Sequence, residues 1–100
     1  STAKRPQAIA GIPTVAESGV PSYDAGVWYA LLAPAGTPPE IVERLNHEIG
    51  GVLKTRDYAK LLFDSAIDPV GSTPQALGAH IRSETAKWAK VIKAADIRID

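Results

Sequence analysis

Cysteine is absent from the 100 residues, which rules out disulfides, thiolate metal sites and a cysteine nucleophile, and leaves the compartment open. An excess of one charge is missing too: eleven basic residues balance eleven acidic ones. Without a basic cluster the chain lacks the electrostatic footprint of a nucleic-acid binder, and it offers no one-signed surface to an anionic membrane. No stretch approaches the roughly 18 consecutive apolar residues of a membrane-spanning helix. The opening Ser1-Thr2-Ala3-Lys4-Arg5-Pro6 has no apolar run after its charges, so these residues do not read as an export signal. His47 and His80 have no metal-ligand spacing, and no G-x-S-x-G, Walker or G-x-G-x-x-G motif occurs. The expectation is therefore a protein without catalysis, metal or cofactor.

What is present has globular composition, with 45% hydrophobic and 22% charged residues. A chain of this length ordinarily buries about two-thirds of its unfolded surface. Residues 1–26 are punctuated by Pro6, Pro13 and Pro21 and by Gly11, Gly19 and Gly26. Within them Thr14 to Gly19 reads as one helical turn: Thr14 caps it, Glu17 completes a capping box, and Gly19 stops it. Val27-Trp28-Tyr29-Ala30-Leu31-Leu32-Ala33 is continuously apolar and closes on Pro34-Ala35-Gly36, the pattern of a central strand covered on both faces.

Three helices follow. Thr37-Pro38-Pro39-Glu40 places a hydroxyl at the N-cap, proline at the first helical position and a carboxylate at the third. Ile41, Leu45, Ile49, Val52 and Leu53 then form one stripe, which predicts a helix from Pro38 to about Lys54. Thr55 opens a shorter helix through Tyr58, Leu61 and Leu62. Ile67-Asp68-Pro69-Val70-Gly71 reads as an edge strand. Ser72-Thr73-Pro74 opens a long helix whose closing turns carry Lys87, Lys90 and Lys93, cations suited to the negative end of the helix dipole. The tail Ile97-Arg98-Ile99-Asp100 alternates, as a short strand would. The predicted class is α/β, with three main helices packed on a few short strands. Those strands are too few to cover the helices, so the chain reads as part of something larger.

Pro13-Thr14-Val15-Ala16-Glu17-Ser18-Gly19-Val20-Pro21, Trp28 to Pro38, Ile41-Val42 with Leu45-Asn46, Ile81 to Glu84 and Lys87 to Lys93 together resemble one family. It is the Bug-type extracytoplasmic solute receptors of tripartite tricarboxylate transporters, and the likeness runs in order along nearly the whole chain. The resemblance implies the C-terminal portion of a type II periplasmic-binding-protein fold, whose two domains close on a ligand. Residues 1–25 would be the end of the second domain and the hinge crossover, and residues 26–100 the C-terminal part of the first. It further implies a periplasmic location, a small organic carboxylate as ligand and membrane permease subunits as partners. Where the family pattern has glycine after the long helix, this chain has Asp96, which tolerates a left-handed conformation.

Four residues are candidates for the ligand site. Trp28 stands near the hinge, where an aromatic face could line a cleft; a core aromatic is the plainer alternative. Tyr23 and Asp24 adjoin the crossover and could border the cleft, although a solvated turn is the plainer reading of both. Thr14 opens a turn whose amides favour an anion, although the capping box already accounts for it. His80 and Glu84, four apart on one helix, read as a surface pair. Two other functional readings stay open: a receptor diverted to ligand sensing, and a helical interaction module. An uncovered edge and apolar helix faces also predict self-association of these residues in isolation.

Overall fold

The computed structural model describes residues 2–99. A 3-10 turn, Gln7–Ile9, precedes three helices: α1 (Pro39–Leu53), α2 (Arg56–Asp64) and α3 (Pro74–Ala94). The first helix begins one residue later than its sequence pattern predicts. A residue before proline is pushed out of the helical region, so Pro38 stays extended, at φ −54° and ψ 137°, and acts as the N-cap. The Thr37 hydroxyl therefore donates backward to the Pro34 carbonyl at 2.7 Å instead of capping the helix.

Thr55 does occupy the N-cap of α2, but its side chain makes no cap bond and donates to the Val52 carbonyl at 2.7 Å. Thr73 caps α3, accepting from the Ala76 N–H at 3.1 Å, and Pro74 opens the first turn as expected. Both α2 and α3 end on left-handed residues that are not glycine, Ala66 at φ 55° and Asp96 at φ 49°. In each case the next amide reaches back five residues: Ile67 N–H to Leu62 C=O at 2.9 Å, and Ile97 N–H to Ile92 C=O at 3.1 Å. These bonds satisfy carbonyls that the helix end would leave unpaired.

The predicted α/β class is not what forms. Among the described residues there are helices and turns and no strand, so neither an α/β layer nor the sheet of a type II binding-protein fold is present. A strand exists only through a partner that exchanges N–H···O=C bonds with it. No backbone–backbone bond reaches residues 27–33 among those described. The apolar run instead lies open, with Val27 83%, Tyr29 82% and Leu31 and Leu32 each 74% exposed. Continuous apolarity records a demand for cover and does not supply the pairing segment. The predicted edge strand at residues 67–71 and the tail at 97–99 have no strand partner either, their Ile67 and Ile97 amides closing the helix ends instead, and Asp100 falls outside the described residues.

Packing is correspondingly thin. Helix α1 touches both α2 and α3, and the Asn46 amide donates to the Ser72 carbonyl at 2.8 Å, tying α1 to the entry of α3. Val42, Ile49, Leu53, Ala59, Leu62, Leu77 and Ile81 are half-buried along these seams. Ile41, Leu45 and Val52 of the predicted stripe remain about half exposed. No apolar side chain among the described residues is fully buried. The radius of gyration is 16.5 Å, against about 13 Å for a compact chain of 100 residues. The helices form from local signals; a core does not.

Candidate functional site

The segment leading out of residues 1–22 folds back along α3, and this is where most of the candidate residues meet. It is held from two sides. On one, the Asp24 carboxylate accepts from the Ala3 N–H at 2.9 Å, and Gly26 passes so close to the start of the chain that a Cβ there would lie 2.8 Å from the Thr2 methyl. Only glycine fits such an approach without displacing its neighbour. On the other, Lys87 Nζ donates to the Asp24 carbonyl at 2.9 Å. One helical stretch earlier, Trp28 meets His80 edge to face, the ring centroids 4.9 Å apart at 74°.

Glu84 lies between these two contacts. One of its oxygens accepts from Lys87 Nζ at 3.0 Å, the other from Trp88 Nε1 at 2.7 Å. Its side chain is only 17% exposed. The Lys87 hydrogen bond, with smaller help from Trp88 and from the charges of Lys87 and His80, holds the carboxyl below its ordinary value against a counteracting desolvation. The expected His80–Glu84 surface pair is thus rearranged: the imidazole packs on Trp28, and the carboxylate serves residues on its C-terminal side.

Tyr23 and Asp24 line a groove of about 460 Å³ together with Val20, Lys87, Trp88 and Val91. Its walls are mainly apolar side chains, with the ammonium of Lys87 the one full positive charge among them. Thr14 sits elsewhere, in a second groove of about 370 Å³ bounded by Ile9, Ile12, Pro13 and Val15. Ala25 borders both grooves. Thr14 is the one buried polar residue among those described, 4% exposed. Its capping box forms as the sequence predicts: Glu17 N–H donates to Thr14 Oγ1 at 3.1 Å, and Thr14 N–H donates to the Glu17 carboxylate at 3.0 Å. Gly19 then turns the chain with φ 124°.

Arg5, which sequence reasoning did not single out, adds to this box by donating to the same Glu17 oxygen at 2.7 Å and to the Ala10 carbonyl at 2.9 Å. The Thr14 backbone bond, then Arg5, lowers the Glu17 carboxyl. Trp28, Tyr23 and Asp24 are therefore gathered on α3, while Thr14 belongs to a separate knot. The parts of the site that sequence reasoning missed are Lys87 and Trp88. Their spacing from Glu84, three and four residues, is a legible sign of a shared helix face; the bond to Asp24, 63 positions away in the chain, has no such sign. No cluster of three or more metal-ligating side chains exists among the described residues, and no helix there is long and apolar enough to cross a membrane.

Residues 23–28, strapped to the long helix α3, thus border two open grooves among the described residues, a surface suited to binding. Comparison with known proteins makes this specific. Residues 1–97 match the family described as the tripartite tricarboxylate transporter family receptor. The chain is 38% identical over 82 residues to a UPF0065 protein in the tcbD-tcbE intergenic region of Pseudomonas sp. strain P51, covering 81% of this chain and 24% of that protein. It is 34% identical over 82 residues to protein BugT of Bordetella pertussis, covering 82% and 25%. A UPF0065 protein of Agrobacterium vitis from the TAR-I ttuE-ttuC' intergenic region is 32% identical over 98 residues, covering 95% and 28%. The chain belongs to the tripartite tricarboxylate transporter receptor family. It spans about a quarter of the length of these relatives.

Proposed function

We propose that these residues form the C-terminal part of a periplasmic receptor that captures a small organic carboxylate and delivers it to the permease of a tripartite tricarboxylate-type transporter. The observation that carries this reading is the family match over residues 1–97. In it, residues 1–25 end the second lobe and cross the hinge, and residues 26–100 belong to the first. Capture is noncovalent and reversible, the ligand leaving chemically unchanged.

The physics of a neutral receptor for an acid favours hydrogen-bond donors over a basic patch. Backbone N–H groups and ordered water can hold a carboxylate without a net positive surface. Trp28 is assigned the aromatic wall of the cleft, with Tyr23 and Asp24 bordering it, while Thr14 stands apart in its own groove. The strapping of residues 23–28 to α3 supports this assignment, because a site placed on a held segment loses less freedom on binding.

Calorimetry on the full-length receptor with a panel of mono-, di- and tricarboxylates tests the proposal. One-to-one binding of at least one acid, recovered intact, is expected. Absence of binding across the panel, or conversion of any acid to a product, overturns it.

A further inference from the structure

An ion pair three residues apart on an exposed helix face ordinarily contributes little and serves nothing beyond its own helix. Glu84 differs in what its partners do. Both of its oxygens are engaged by different donors, Lys87 Nζ at 3.0 Å and Trp88 Nε1 at 2.7 Å. Lys87, so held, spends a second N–H on the Asp24 carbonyl at 2.9 Å, and Asp24 in turn binds the Ala3 amide. Trp88 is kept where the Lys87 ammonium lies 5.4 Å from its ring centroid. The chain of contacts thus runs from the middle of α3 through Lys87 to the crossover and on to residue 3.

Lysine is a flexible point donor that loses much rotamer freedom when fixed. A second partner for the same ammonium shares that cost, so Lys87 reaches Asp24 more readily with Glu84 beside it. Four residues beyond Asp24, Trp28 rests on His80, about two turns before Lys87 on the same helix. The segment therefore touches the helix at two places, and Glu84 lies between them.

We infer that Glu84 is a positioning residue: by fixing Lys87 and Trp88 it seats residues 24–28 on α3 and so sets where Trp28 meets His80. It acts on the crossover through other side chains, its own two oxygens being engaged by Lys87 and Trp88. The inference concerns the seating of the crossover and stands whether or not Trp28 contacts a ligand.

The test is nuclear magnetic resonance on the full-length receptor with labelled tryptophan and histidine. The reporter is the cross-peak between the Trp28 and His80 rings. Glu84→Gln keeps the shape of the side chain and removes its charge; loss of most of the cross-peak and a displaced Trp88 indole N–H signal are expected. Lys87→Met should lose the cross-peak as well, and Lys87→Arg should restore it. Glu48→Gln, which removes an exposed carboxylate paired with Arg44 on α1, should leave it intact. If Glu84→Gln lowers the melting temperature while the cross-peak keeps its intensity, Glu84 merely stabilises α3 and the inference fails. If Glu84→Gln does not fold, Lys87→Met decides: an unchanged cross-peak in that variant overturns the seating role.

Discussion

The most demanding consequence of the packing concerns these 100 residues produced alone. Their accessible surface is 8394 Å², whereas a compact monomer of 10.6 kDa exposes about 5,500 Å². The difference, about 2,900 Å², is more than three times the roughly 800 Å² that each partner buries in an ordinary protein–protein interface. Much of it is apolar and contiguous in sequence: Val27, Tyr29, Leu31 and Leu32 are each at least 74% exposed. At about 25 cal/mol per Å², covering 1,000 Å² of apolar area contributes roughly 25 kcal/mol before the costs of association. The isolated chain should therefore associate at micromolar concentration. Size-exclusion chromatography with light scattering and small-angle X-ray scattering reads this directly. Leu31→Lys with Leu32→Lys should reduce the association while leaving helix content by circular dichroism unchanged, because residues 27–33 contribute no helix. A sharp monomer at high concentration, with a radius of gyration near 13 Å and a cooperative melt, would refute the reasoning.

Three further outcomes are expected in the full-length receptor. Thr14→Ala removes the acceptor of the Glu17 amide and should cost about 1 kcal/mol, read as a lower denaturant midpoint, with Thr14→Ser recovering most of it. Ala66→Gly relieves a left-handed residue at φ 55° and should stabilise by about 1 kcal/mol; Asp96→Gly, at φ 49°, should gain less, because aspartate tolerates that region and its carboxylate accepts from Arg98 Nε at 3.1 Å. Their effects should add, since the positions end different helices, and a destabilising result at either site would contradict the cap geometry. Glu17 and Glu84 both have carboxyls lowered from the ordinary 4.5. A depressed folded value means their stabilisation is complete above pH 4.5 and is lost as pH falls through the folded values. Melting temperature followed through this acid window should fall more steeply in the parent than in a Glu17→Gln, Glu84→Gln double variant, and equal slopes would show that these two carboxyls do not carry the effect.

The parts of the fold legible in the sequence are those written by neighbours. Thr73 before Pro74 announced the start of α3, Thr14 with Glu17 announced the capping box, and Asp96 stood where a left-handed residue was needed. The later start of α1 was also written there, since Pro38 precedes another proline and cannot be helical. Distant relations were not legible. The strand expected at Val27–Ala33 was inferred from apolarity, which reports that a segment wants cover and says nothing of who pairs with it. His80 was assigned to Glu84 by spacing, yet its ring found Trp28, 52 positions earlier, through a fold-back that no local pattern encodes. The same fold-back carries Tyr23 and Asp24 onto Lys87 and leaves Thr14 behind in its own capping knot.

Ala25 borders both hollows beside residues 23–28. A methyl is the smallest side chain an L-residue can place there, so a bulkier one would encroach on whichever hollow received it.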